Sequence, residues 1–229
     1  MITWPFTTLT PYEERWSLDG VALTGGPSVS GLNRFARTDG GGFWTCQQKF
    51  FFHSPAQIKA ARAIEAQLDG GATSIIIPAF ERPFAPYPNG YSSHLVPHSD
   101  GTPFSDDTLY EGGLIDVTLA EAAALRATSL PLTVTAAASL EGGERFSIVH
   151  PVLGKRLYTV ASVGEAVDGV QAITCRPPLR EAATAGTELD FDKPGCVMRL
   201  ANAREFLSAL NVARHMTCES VWVESFDAS

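Results

Sequence analysis

The densest group of side chains able to do chemistry falls at His94, His98, Asp100, Asp106 and Asp107. Two histidines four residues apart can share one face of a helix and hold a zinc ion there. Pro97 and the Ser-Asp-Gly-Thr-Pro turn at 99–103 work against that helix, because proline lacks a backbone donor and clashes with the preceding turn. The three aspartates lack the alternate spacing of a calcium loop. A solvated loop carrying polar residues is the simpler reading. A metal-dependent enzyme built on His94 and His98 is the sharper one, and it requires stoichiometric metal in the purified protein.

Other catalytic patterns fail at identifiable positions. A nucleophile elbow needs Gly-x-Ser-x-Gly, but in GGPSVSG at 25–31 Ser30 stands where the second glycine belongs, and Pro27 adjoins the serine. That segment reads as a polar turn. A phosphate loop would need glycine at 149 and Ser or Thr at 156; the chain has Val149 and Arg156 around Gly154-Lys155. The glycines at 40–42 precede an expected strand rather than a helix N-terminus, which removes the dinucleotide pattern. His53 and His150 read as turn or partly buried histidines. Glu13, Glu14, Glu141 and Glu144 fall in expected turns, with no pairing that suits acid–base work. The residues therefore point to a protein that is not an enzyme and needs no cofactor.

Cys46, Cys175, Cys196 and Cys218 include no Cys-x-x-Cys pair, so the short chelate loops of structural zinc sites are missing. A domain of this size needs no disulfide framework. Buried free thiols are expected.

These residues sit in a chain of 229, with 45% hydrophobic and 18% charged residues, enough to build a core without staples. The 17 Lys+Arg against 25 Asp+Glu give a formal charge of -8. No basic block exists, which argues against nucleic-acid binding. The start MITWPFTTLT lacks the basic and apolar regions of a signal peptide, and Ile75-Ile76-Ile77 is too short to span a bilayer. No membrane anchor is expected.

The clearest element is a helix over 55–68. Ser54 and Gln57 have capping-box spacing, Pro55 suits the first turn, and Ile58, Ala61, Ile64 and Leu68 form one apolar face. Asp69-Gly70-Gly71 stops it. On either side the period changes to two: FWTCQQKFFF at 43–52 reads as a half-buried strand, and TSIIIP at 73–78 as a short β-branched one. The helix is expected to lie across a sheet.

Residues 80–113 hold five prolines and four glycines without a sustained period, the signature of a long excursion. Phe80, Phe84, Tyr87, Tyr91 and Phe104 are too many aromatics for a loop left in water, so they are the candidate interface residues. From 114 to 194 nearly every signal is strand: 114–118, 130–136, 144–149, 157–163, 170–175 and 187–191, at the spacing of a small barrel or sandwich. Residues 120–126 fit a helical turn or a strand equally. Residues 199–212 fit an amphipathic helix or two short strands, and 218–226 prefers strand. The expected organisation is mainly β with one well-capped helix: a base from 1–85 and 195–229, an excursion at 86–113, and a small inserted barrel or sandwich at 114–194.

The phrases GGPSVSG, FWT, SPAQIKAARAIEAQLDG and IIIPAFERP between 23 and 84, with VPHSDGTPFSDDTLY at 96–110 and PPLREAATAGTELDFDKPGCVMRL at 177–200, resemble tail-tip proteins of long-tailed bacteriophages and related prophage elements. Within that group the chain is most similar to distal tail proteins. The resemblance implies a β-sandwich base with a packed helix that forms a ring, six-fold by preference, and an outer β-rich domain. It implies a non-enzymatic structural role in the virion tail tip, assembled in the host cytoplasm, with the tail tube protein and the baseplate hub protein as neighbours. The chain is short for a two-domain version, which keeps a minor tail or hub-adjacent protein as an alternative. Aromatic loops also suit a carbohydrate-binding module that contacts the host surface.

Overall fold

The computed structural model describes residues 2–5, 7–27, 29–80, 82–88, 102, 105–106, 115–210 and 215–227. In chain order its strands are β1 (Ile2–Thr3), β2 (Glu13–Asp19), β3 (Ala22–Pro27), β4 (Asn33–Arg37), β5 (Phe43–Phe52) and β6 (Ile75–Pro78), with helix α1 (Pro55–Gln67) between the last two. Then follow β7 (Asp116–Leu119), β8 (Ser129–Ala136), β9 (Arg145–His150), β10 (Gly154–Val167), β11 (Val170–Arg176), β12 (Gly195–Leu200) and β13 (Met216–Glu224). The fold is mainly β, 47% strand and 11% helical, with a single α-helix among the described residues. Two compact units form. The first comprises Met1–Ala79, Val149–Arg156 and Gly195–Ser229; the second comprises Phe80–Ile148 and Leu157–Pro194.

The first unit is organised by one six-stranded sheet in the order β1-β6-β12-β13-β5-β2. The strand pattern of FWTCQQKFFF explains why: Trp44, Cys46, Gln48, Phe50 and Phe52 alternate into the interior, as a period of two demands. The β5–β13 register sets Met216, Cys218, Ser220 and Trp222 opposite Phe52, Phe50, Gln48 and Cys46, all on that same buried face. Trp4 packs over it, with ring centroids 5.1 Å from Phe50 and 5.7 Å from Trp222. Phe206 closes the cluster 6.0 Å from Trp222. Such tilted and edge-on aromatic pairs add to the burial of apolar area.

Helix α1 buries Ile58, Ala61 and Ile64, the stripe legible in the sequence, and Leu68 is buried at its C-cap. Its capping box is complete: Ser54 Oγ accepts from the Gln57 amide at 3.2 Å, and Gln57 Oε1 accepts from the Ser54 amide at 3.3 Å. The chain leaves the helix through Gly70, in the left-handed region at φ 67°.

Two sets of buried polar side chains in this unit meet complementary partners. Gln48 Nε2 donates to Glu14 at 2.7 Å, and its Oε1 accepts from Trp222 Nε1 at 3.1 Å. Glu14 also accepts from Trp16 Nε1 at 2.8 Å. Glu13 and Glu14, expected in a turn, thus lie in strand β2, and Gln48, expected among the strand's polar residues, faces the interior. The second group is an ion pair with no exposed side-chain surface, Arg156 Nη1 to Glu224 Oε1 at 3.5 Å. Arg156 also donates to the Ser225 carbonyl at 2.5 Å and the Leu153 carbonyl at 2.6 Å. Glu224 accepts from the Trp44 amide at 2.9 Å. This pair explains why 149–156, expected in the inserted part, belongs with the first unit. Residues 80–85, expected in the base, belong with the second.

The second unit holds a five-stranded sheet, β7-β8-β11-β10-β9, curled into a half-barrel. Its interior is filled by residues such as Val117, Leu130, Leu132, Phe146, Ile148, Tyr158, Val160 and Phe191. Residues 187–191 are a correction to the sequence reading, because they do not form a regular strand. Glu188 bridges to Thr118 of β7 and Asp190 to Ser147 of β9. The Leu189 amide donates to Val117 O, and Asp190 and Ser147 exchange a reciprocal pair of bonds, all at 2.9 Å. The segment changes partners midway and so joins the two edge strands of the curled sheet. Residues 120–126 are irregular with one bridge, Ala123 to Ala183. After β12 the chain makes a short 3-10 turn at Ala203–Glu205 and a single bridge from Leu207 to Cys218 rather than a long helix.

Two substitutions should separate local from buried stabilisation. Ser54→Ala removes a cap and should cost about 0.5–2 kcal/mol. Glu224→Gln leaves Arg156 as an uncompensated buried cation and should cost about 3–5 kcal/mol. Denaturant unfolding of both variants checks the order; equal losses would mean that the buried pair is not carrying its part of the fold.

Candidate functional site

Between β2 and β5 the chain runs out and back as a two-stranded ribbon, β3 and β4, which forms a sheet of its own. Ala22, Leu23 and Thr24 pair with Arg37, Ala36 and Phe35. GGPSVSG, read as a polar turn, spans the end of β3 and the tip of this ribbon. Its base is pinned. The Thr38 amide donates to Val21 O at 2.9 Å, and Thr38 Oγ1 donates to Gly20 O at 2.8 Å. Gly42 lies at φ 80°, where an added Cβ would fall 2.1 Å from Asp19 O, so only glycine lets the returning chain pass the end of β2.

Opposite residues in an antiparallel pair point to the same face. Leu23 with Ala36 therefore marks one face of the ribbon, and Thr24 with Phe35 the other. All four residues are exposed. Leu23 is 60% exposed, Phe35 69%, Leu32 68% and Val29 fully so. Scattered apolar residues on a surface need no explanation, whereas these four gather on one short ribbon. The sequence reading missed it because Gly25, Gly26 and Pro27 resemble loop residues; the signal available was the spacing of Leu23, Val29, Leu32 and Phe35 around them.

The residues expected at an interface divide. Phe84 is 69% exposed and lies beside a groove of about 570 Å³ lined by Glu141, Gly142, Gly143, Glu144, Arg145 and Thr159. Phe80 is half-buried. Tyr87 is corrected: it is 2% exposed, and its hydroxyl donates to Asp192 Oδ1. The Ala138 amide donates to Pro86 O at 2.9 Å, so this part of the excursion folds back onto its own unit. Tyr91 and Phe104 lie outside the described residues, as do His94, His98, Asp100 and Asp107; Asp106 is exposed.

Groups with catalytic potential are engaged in structure. In the groove, Glu144 accepts from the Glu141 amide at 2.6 Å and the Gly142 amide at 2.8 Å, so the loop's donors already face a carboxylate. His150 is buried. All four cysteines are buried, and none forms a disulfide. Burial pushes the Cys175 thiol up to about 12, and it raises Cys218 further, with Glu65 and Glu219 adding to the effect. Among the described residues no three His, Cys, Asp or Glu side chains come together to hold a metal ion, and no helix is long and apolar enough to cross a membrane. The chain matches no family model and no curated protein.

Two measurements follow from this geometry. Tyr87→Phe should lower the stability of the protein by about 1–2 kcal/mol through the lost bond to a carboxylate, whereas Phe84→Ala should leave the thermal midpoint unchanged; the reverse order would return Tyr87 to the surface. The thiols should resist a maleimide at neutral pH and react on unfolding. A thiol whose folded pKa is raised contributes stability fully below the ordinary value of about 8.5, and that contribution is lost as pH climbs towards the folded value. Unfolding free energy should therefore fall between roughly pH 8.5 and 12, and a flat profile would place the thiols in water.

Proposed function

We propose that this protein is a non-enzymatic structural component that assembles with copies of itself into a ring, and that it serves as a distal-tail-type adaptor in the virion tail tip of a long-tailed bacteriophage or related prophage element. The observation that carries the self-assembly reading is the β3–β4 ribbon, apolar and exposed on both faces. A ring protomer must offer two different surfaces related by a rotation that closes, and a projecting ribbon is one such surface. The engagement of Glu144, His150 and the thiols in structural roles favours assembly over catalysis. The placement in a tail tip, the preference for six copies, and the tube and hub proteins as neighbours rest on the sequence resemblance.

A second reading has its own observation. Phe84 stands exposed beside a groove carrying Glu141, Arg145 and Thr159, and an aromatic face next to polar side chains suits a sugar ring. A glycan array with the purified protein, repeated with Phe84→Ala, tests it: binding lost in the variant supports a carbohydrate module.

The mass in solution tests the first reading. Light scattering should give a discrete multiple of the 24.5 kDa chain. Leu23→Asp with Phe35→Asp should reduce that mass to one chain and move the melting midpoint of the monomer by no more than about 2 °C, because exposed substitutions cost little. A parent protein that is monomeric at all concentrations overturns it.

A further inference from the structure

The sequence Leu-x-Glu-Ala-Ala occurs twice in the second unit, at 119–123 and, sixty positions later, at 179–183. Neither copy is helical, although alanine favours a helix. Instead the two copies cross. Ala123 and Ala183 exchange a pair of backbone bonds, the Ala123 amide donating to Ala183 O at 2.8 Å and the Ala183 amide to Ala123 O at 2.9 Å. Three further bonds each have a mate at the same offset. The Leu119 amide donates to Thr187 O and the Leu179 amide to Ala127 O, both at 2.9 Å. The Gly186 amide donates to Leu119 O at 2.7 Å and the Arg126 amide to Leu179 O at 2.9 Å. Within the copies, the Ala127 amide donates to Ala124 O at 3.0 Å and the Thr187 amide to Thr184 O at 3.2 Å. Burial and backbone match as well. Leu119 and Leu179 are both 1% exposed, Ala123 and Ala183 are 7% and 8% exposed, and Arg126 and Gly186 both take left-handed φ, 66° and 78°.

We infer that residues 119–127 and 179–187 are two copies of one element, related by an approximate two-fold axis between Ala123 and Ala183, and that together they form a clasp that opens and closes as one unit. The inference does not depend on the assembly reading above. A five-residue sequence match is weak by itself; the matching bonds, each made from one copy to the other, carry the argument. Six of the eight bonds run between the copies, so releasing one copy strips the other of its partners, and neither can open alone. Alanine at the crossing has a steric reason. Two antiparallel residues that exchange both bonds bring their Cα atoms to about 5.5 Å, and with both side chains buried a larger group at either place would overpack it. The copies diverge where the backbone turns left-handed: Gly186 suits that conformation, whereas Arg126 adopts it with a side chain attached. The clasp also has a place in the sheet. Leu119 ends β7 and Leu179 lies three residues beyond β11, so it ties together the segments that leave these two strands.

Replacing one copy by the other tests the equivalence in the full chain. Ala120→Arg, Ala124→Thr, Leu125→Ala, Arg126→Gly and Ala127→Thr together make 119–127 read as 179–187. The expected melting midpoint is no more than about 2 °C below that of the parent, because every backbone bond is kept and a glycine enters at the left-handed position. A control carries the same nine residues at 119–127 in scrambled order and should melt well below both. A copied segment that melts no higher than the scrambled one overturns the duplication. Hydrogen exchange on the unmodified protein reads the clasp itself and does not rely on any variant folding. The amides of 119 and 179, of 123 and 183, and of 126 and 186 should show protection matched within about tenfold in each pair, as for groups released by one opening event. A larger difference between mates would show two loops that open separately and would overturn the clasp.

Discussion

A sheet edge is a row of hydrogen-bonding groups that must find partners, and this requirement governs both units. In the second unit the curled five-stranded sheet has β7 and β9 at its ends, and residues 187–191 bond to one and then the other. That segment serves two edges at once, which is why it never becomes a strand of regular register. In the first unit, among the described residues, the sheet ends on the two residues of β1 at one side and the seven of β2 at the other. Next to it in the chain comes a ribbon exposed on both faces.

The interior of the first unit shows a second constraint. A six-stranded sheet buried on one face could slip in register without much loss if its interior were uniformly apolar. Gln48 resists such a slip, because it must meet Glu14 on one side and Trp222 on the other. Glu224 does the same at the far end of β13, held by the Trp44 amide and Arg156. Arg156 Nε has no hydrogen-bond partner, and the Phe226 ring lies 5.3 Å from the guanidinium carbon, a contact that offsets part of the burial. Buried polar groups of this kind contribute less net stability than their contacts suggest, but removing one partner is costly. They tie segments distant in sequence, around 14, 48, 156 and 224, into one arrangement.

The same accounting of polar groups bears on function. A catalytic carboxylate or thiol needs a free lone pair facing substrate. Here Glu144 accepts from two amides of its own loop, burial raises the Cys175 and Cys218 thiols, and Tyr87 donates to Asp192.

Local patterns were legible in the sequence where one short-range rule dominates. The SPAQ cap, the apolar stripe of α1 and the alternation of β5 each depend on residues within a turn or two, and each lies where periodicity put it. The mainly β class follows from the same local signals. Tertiary structure decided everything that depends on a partner far along the chain. Glu14 reads as a turn residue until Gln48 and Trp16 are beside it. Residues 187–191 read as a strand because their β-propensity is real, yet their partners lie on two different strands. Tyr87 reads as an exposed aromatic until Asp192, more than a hundred positions later, accepts its hydroxyl. The ribbon was hidden for the opposite reason: glycine and proline near its tip carry a strong local turn signal, while its pairing and its exposure are properties of the folded chain. Sequence spacing encodes which side of an element is apolar, but burial and hydrogen-bond partners are set by segments that only folding brings together.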